Sequence, residues 1–168
     1  MTNEERLDYF LAEVARGTVK EFLEAPEASL RLGVLAAIVV NQLVEFIYEA
    51  QAGSLHPKES MDNFRRRLAK DHCPDLPLLR KVAEATKHPR LDRERHGSEI
   101  FGIEAVRSQH PQICGRDGNP ITSRGGEPLE GRLAVSVTTQ SGARPLTAIV
   151  TDCFAALERL IASPKPVL

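Results

Sequence analysis

The chain has 168 residues, a hydrophobic content of 42%, no Trp and a formal net charge of −1. That length fits one domain, whose folding buries roughly 70% of the unfolded chain's surface, and a net charge this small names no partner. Three cysteines, at 73, 114 and 153, make neither a paired framework nor a C-x-x-C, which excludes a disulfide-stapled scaffold and suits a reducing cytoplasm.

The chain opens on Thr2 and Glu5 in capping-box spacing, ahead of Leu7, Phe10, Leu11, Val14, Val19, Phe22 and Leu23. This predicts an amphipathic helix of about 20 residues, weakened by Gly17 and stopped before Pro26. The start is acidic and lacks the basic-then-apolar order of a secretion signal, so a cytoplasmic location is expected.

The stretch Leu30–Ala50, LRLGVLAAIVVNQLVEFIYEA, is the centre of the reading. Leu32, Val34, Leu35, Ile38, Val39, Val40, Leu43, Phe46 and Ile47 point in nearly every direction around a helix of 3.6 residues per turn. An all-round apolar helix belongs inside a core, enclosed by its neighbours. Its unbroken apolar run, Val34–Val40, is far short of the ~20 residues that span a bilayer, so no membrane is expected.

A loop with His56 and Pro57 leads to a third helix over about 58–72, with Met61, Phe64 and Leu68 on its apolar line. After CPDLP, Asp75 can cap a fourth helix, in whose first turn Pro77 is tolerated because its missing N–H is not needed there. Leu79 and Val82 face inward, and Pro89 closes this helix at about Lys87 by pushing His88 out of the helical region. From Pro89 to Gly131 periodicity dissolves into a long Gly- and Pro-rich loop, within which 100–106 reads equally as a strand or a short helix. Leu133, Val135 and Val137 alternate with polar or small residues as a half-buried strand, Gln140–Ala143 is a turn, and a short return strand reaches Pro145. Leu146, Val150, Cys153, Phe154, Leu157 and Ile161 repeat at helical spacing to Pro164.

The fold expected is mainly α: a single domain in which an antiparallel bundle of four or five helices carries a β-hairpin before its last helix. Residues 1–88 form the helical core, 89–131 the loop, 132–145 the hairpin and 146–163 the terminal helix. The hairpin is too small to be stable alone and should lie against the bundle or a second copy.

The chain holds no G-x-x-x-x-G-K, G-x-G-x-x-G, G-x-S-x-G, H-E-x-x-H or E-x-x-H; nucleotide hydrolysis, dinucleotide chemistry, serine hydrolysis and di-iron chemistry therefore lack support, and no cofactor is expected. His72-Cys73 with His110 and Cys114 are donors zinc accepts, but the pairs lie far apart in sequence and no metal is expected. Charge is unevenly spread: residues 58–96 carry eleven Lys/Arg against seven Asp/Glu, whereas 1–57 carry four against nine. In the basic middle Arg80, Glu84 and His88 fall at i, i+4 and i+8 on one helix face. Glu84 can accept from both neighbours, and a His beside an Arg equips a site for acid–base work on a phosphodiester. The plain alternative is a salt-bridged, solvated face with a histidine near the helix C-terminus.

The segment LLRKVAEATKHPRLDR, with the helix order around it, resembles HEPN-like bacterial proteins (higher eukaryotes and prokaryotes nucleotide-binding). Their motif is R-D-[IL]-A-[ND]-A-x-K-H, of which Arg80, Ala83, Ala85, Lys87 and His88 are kept while Lys81 and Glu84 depart from it. The resemblance covers about residues 30–95 and implies a helical bundle, often a homodimer. In the catalytic branch an R-x4-6-H motif cleaves RNA without metal, in stress or phage defence. Arg80 to His88 is R-x7-H, outside that spacing; Arg65, Arg66 or Arg67 to His72, and Arg90 to His96, match it formally. On a helix continuous through 72, Arg65 and His72 share a face.

The candidate catalytic residues are thus His88, Arg80, His72 and Arg65, and the candidate RNA-phosphate contacts are Arg66, Lys70, Lys87, Arg90 and Arg93. Two functional readings stand: RNA binding or metal-independent endoribonuclease action, and a non-enzymatic homodimerising interaction module whose protein partner is unknown.

Overall fold

The structure is a computed structural model that describes residues 1–51, 59–85, 106–109, 122, 134–139 and 142–163. Among the described residues, six helices and three strands follow in chain order: α1 (Asn3–Phe10), α2 (Arg16–Glu24), α3 (Leu30–Gln51), α4 (Met61–Asp71), α5 (Leu76–Ala85), β1 (Val106–Gln109), β2 (Ala134–Thr139), β3 (Gly142–Pro145) and α6 (Leu146–Ala162). A single widened π-helical turn, Leu11–Ala15, joins α1 to α2 without a break. Together they form the long first helix that the periodicity predicts. Its capping box is made: the Glu5 N–H donates to Thr2 Oγ1 at 3.1 Å, and the Thr2 N–H donates to Glu5 Oε2 at 2.7 Å.

Helix α3 is the hub. It touches α1, α2, α4, α5, α6 and β1, and Ala36, Ala37, Val40, Leu43 and Val44 are fully buried. Gly33 lets it come close to two neighbours, because a Cβ there would stand 3.0 Å from both Leu146 Cδ2 and Phe22 Cε2. Phe46 stacks on Phe10 with ring centroids 4.3 Å apart.

The expectation of enclosure on all sides needs correction. Arg31, Leu35, Gln42, Glu45 and Glu49 are exposed, Leu35 at 39%, and their spacing places them within a stripe of roughly 80°. The helices and the sheet ring α3 on its other sides and leave this stripe to water. By length and mean hydropathy, 1.8 over its most apolar window, α3 is also long and apolar enough to cross a bilayer, the one such helix among the described residues. What makes it a core helix is its packing against the rest of the chain.

Helix α4 starts at Ser60, whose Oγ accepts from the Asn63 N–H at 3.2 Å, and buries Phe64 and Leu68. Its outer flank is fixed by Tyr48, whose ring meets Phe64 edge-on at 5.4 Å and whose hydroxyl donates to the Glu59 carbonyl at 2.8 Å. Arg67 lies over the Phe64 ring at 5.3 Å and pairs with both Glu59 carboxylate oxygens at 3.0 and 2.9 Å. Helix α5 carries Pro77 in its first turn and buries Leu76, Leu78, Leu79 and Val82. The expected end of this helix at Lys87 lies outside the described residues.

The hairpin of β2 and β3 is present, with Thr139 opposite Gly142; Gly142 has φ +118°, a conformation other residues rarely adopt. The sequence reading missed a third strand. Val106–Gln109, inside the stretch read as loop, pairs antiparallel with β2, Val106 facing Val137 and Ser108 facing Val135. β2 is therefore the middle strand, and Ser136 is buried as well as Val135 and Val137. The sheet lies against α6 and α3, as a small sheet with one apolar face must. Arg144 on β3 ties it to the start of α5 through a bidentate pair with Asp75, at 2.5 and 2.8 Å.

Two stability outcomes follow from this packing. Leu43→Ala is expected to cost about 2–5 kcal/mol through the cavity it leaves; a denaturant titration matching wild type would contradict the buried position. The Arg144 hydrogen bond holds the Asp75 carboxyl below the usual carboxylate range, against the opposing effect of burial. A depressed folded-state value means that the pair's stabilisation is present above the unfolded value of about 3.9 and fades as pH falls through the lower folded one. Arg144→Gln should therefore flatten the acid limb of the stability–pH curve below about pH 4, read as melting temperature against pH; an unchanged acid limb would show the pair to be solvated.

Candidate functional site

A cleft of about 550 Å³ lined by charged side chains lies between α3, α4 and α5. Its walls follow helical arithmetic. From α4 come Asp62, Arg65, Arg66 and Ala69, at i, i+3, i+4 and i+7, and from α5 come Leu76, Pro77, Arg80, Lys81 and Glu84. Asn41 of α3 closes the cleft on the third side. The volume lies within the range of small-ligand sites, and among the described residues of the lining four cationic side chains stand against two carboxylates.

Each charge has a stated position. Arg80 Nε donates to Glu84 Oε1 at 2.6 Å, and its Nη1 reaches Asp62 Oδ1 at 3.4 Å, so one guanidinium links α5 to α4. Burial opposes its charge, but the bonds and charges of Glu84 and Asp62 outweigh this and raise its pKa above the ordinary arginine value. Arg65 is more enclosed, its side chain 14% exposed, and donates from Nη2 to Glu45 Oε1 at 2.8 Å. Arg66 is exposed and donates from Nη2 to Asn63 Oδ1 at 2.6 Å; among the described residues no carboxylate is in ion-pair range of it. Among the described residues, two buried polar atoms of the lining, Asn41 Oδ1 and Arg65 Nε, have no hydrogen-bond partner, a condition that costs roughly 1–3 kcal/mol per group unless something else satisfies it.

Of the residues singled out in the sequence, the cleft brings together Arg65, Arg66 and Arg80, and the Arg80–Glu84 half of the i, i+4, i+8 row is formed. His72 is elsewhere. Helix α4 ends at Asp71, and His72 is its C-cap with φ −133°, so the continuous helix on which Arg65 and His72 would share a face stops one residue short. His72 lines a different cavity, with Asp75, Asp152 and Arg159. Lys70 is exposed on α4 and is not part of the cleft wall. Lys87, His88, Arg90 and Arg93 lie outside the described residues, as do His96, His110 and Cys114. Among the described residues no group of three or more His, Cys, Asp or Glu side chains is placed to hold a metal ion.

Sequence reasoning did not assign Asn41, Asp62 or Lys81 to the site. The signal for Asp62 was available, because it stands at i−3 and i−4 from Arg65 and Arg66 on a helix whose opposite side is apolar. Asn41 had only its position, a single amide in an otherwise aliphatic stretch of α3. Compared with models of known families, with curated proteins and with solved structures, the chain matches none.

A double-mutant cycle over Arg80→Ala and Glu84→Ala measures how far the cleft is desolvated. The side chains are 33% and 18% exposed, so the coupling should be roughly 0.5–1.5 kcal/mol, above the ~0.3–0.5 of an exposed i,i+4 pair. A coupling of zero would place the pair in bulk-like water.

Proposed function

We propose that this chain binds single-stranded RNA, taking its phosphates in the cleft between α3, α4 and α5. The observation that carries the reading is the convergence of Arg65 and Arg66 from one helix with Arg80 and Lys81 from another on a single concave surface. Phosphate oxygens are acceptors, and guanidinium forks are the side chains best shaped to meet them. The Arg65 Nε donor and the Asn41 Oδ1 acceptor, without partners among the described residues, give the cleft polar capacity for a ligand.

Binding rather than cleavage is the activity proposed. Metal-free cleavage needs a group that moves a proton beside the phosphate. Among the described residues the titratable acids in the lining are Asp62 and Glu84, both paired with Arg80; their charge opposes anion binding. His72 opens onto the other cavity. The HEPN-like resemblance, the homodimer it implies and a cytoplasmic location belong to the same reading, the last supported by the free thiols of Cys73 and Cys153.

The test is a fluorescence-anisotropy titration with a labelled single-stranded RNA, run with EDTA present and followed by electrophoresis of the RNA. Binding should weaken as salt rises, and Arg66→Ala should weaken it further while lowering the log–log salt slope by about 0.7. Glu84→Gln and Asp62→Asn should act in the opposite direction and tighten it. The RNA should remain intact. Absence of binding at low salt, or weakening by the two neutralising substitutions, would contradict the proposal; EDTA-resistant cleavage would show that the proton-transfer group has been overlooked.

A further inference from the structure

The exposed side of α3 carries a pattern of its own. Arg31, Leu35, Gln42, Glu45 and Glu49 are exposed, and Ile38 among them is half-buried. In chain order these positions are separated by four, three, four, three and four residues, the alternation that lines up a coiled-coil seam. Its two bulky aliphatic side chains are Leu35, 39% exposed, and Ile38, about one turn further on.

The charges of this seam are set against their own helix. Arg31 stands in the first turn of α3 and Glu49 in the last, whereas the helix dipole favours an acid at the first turn and a base at the last. Among the described residues neither Arg31 nor the Glu49 carboxylate has an ion-pair partner. Asn3 reaches Glu49, but only its backbone carbonyl. The other acid of the seam, Glu45, is drawn sideways to Arg65 at 2.8 Å and stays half exposed. Charges that are wrong for their own helix are right for the same helix running the opposite way.

We propose that this face of α3 is the docking surface for a second copy of the chain, the two α3 helices lying antiparallel about a two-fold axis. An antiparallel seam sets the contacts. Arg31 meets the partner's Glu49, Leu35 meets the partner's Glu45 and Ile38 meets the partner's Gln42, and symmetry makes each contact twice. Both ends are then closed by opposite charges, and the aliphatic groups lie between them. A parallel pair would instead bring arginine against arginine and glutamate against glutamate. From Arg31 to Glu49 the seam runs about 27 Å at a rise of 1.5 Å per residue. One helix per protomer takes part and four of the six seam residues are polar, so the dimer is a weak, reversible one that forms with rising concentration. The surface is separate from the RNA cleft, whose lining includes neither Arg31 nor Glu49.

The experiment is sedimentation equilibrium of the full chain over a range of concentrations, with Arg31→Glu and Glu49→Arg each alone and mixed in equal amounts. Wild type should pass from monomer to dimer as concentration rises. Each variant alone puts like charges at both ends of the seam and should raise the dimer Kd about tenfold or more. The mixture restores opposite charges at both ends, so a heterodimer should form at about the wild-type Kd, counted by native mass spectrometry with one variant isotope-labelled. Each substitution also suits the dipole of its own helix. Melting temperatures at or above that of monomeric wild type should therefore accompany the lost dimer and separate it from misfolding. A chain that stays monomeric at every soluble concentration would overturn the proposal. So would a dimer that both variants keep, or a mixture that dimerises no better than the variants alone. None of these outcomes bears on the RNA cleft, which has its own titration.

Discussion

Burial of α3 is the constraint on which everything else rests. The helix runs through the body, and α1, α2, α4, α5, α6 and β1 each find in it the partner for their own apolar side. No shorter helix of the chain could stabilise itself in water alone, so their positions are set by where they meet α3. The cleft is a consequence. With Phe64 and Leu68 of α4, and Leu79 and Val82 of α5, committed to the core, the neighbouring turns of both helices place their arginines and acids toward each other across a gap that Asn41 closes.

The gap is held open by opposing electrostatics rather than by a filled apolar core. Arg80 draws Asp62 and Glu84 toward itself from two helices, while Arg65 is drawn outward to Glu45 on the exposed stripe of α3. Half-buried pairs of this kind contribute little net stability because desolvation offsets much of the attraction. Their effect is positional: they hold guanidinium groups at a concave surface. On the proposed reading, a phosphate would exchange a protein carboxylate for a ligand oxygen, which favours moderate affinity and strong dependence on salt.

Much of the fold was legible in the residues. Thr2 and Glu5 announced the first helix, Val135 and Val137 the hairpin strand, and Leu146, Val150, Cys153 and Leu157 the last helix, because in each case local chemistry and burial agree. Strand β1 was not legible, since four residues, Val-Arg-Ser-Gln, acquire their identity only by pairing with β2. The stripe on α3 was hidden by Leu35, an apolar residue that the packing leaves in water, among polar residues that by themselves mark the exposed side. The site was half legible. Arg80 with Glu84 could be read from i, i+4 spacing, but the arginines of α4 reach it only through tertiary packing. His72 stands apart from Arg65 because the end of α4 at Asp71 turns on a single non-helical φ angle, which spacing cannot reveal.

Amide hydrogen exchange, followed residue by residue with and without a single-stranded RNA, tests the central claim most directly: that α3 is the core on which α4 and α5 build a phosphate-binding cleft. The account predicts slowest exchange in the buried turns of α3 in both states, with added protection on RNA binding concentrated in α4, α5 and the turn around Asn41. Fast exchange through α3, or added protection that avoids α4 and α5, would contradict it.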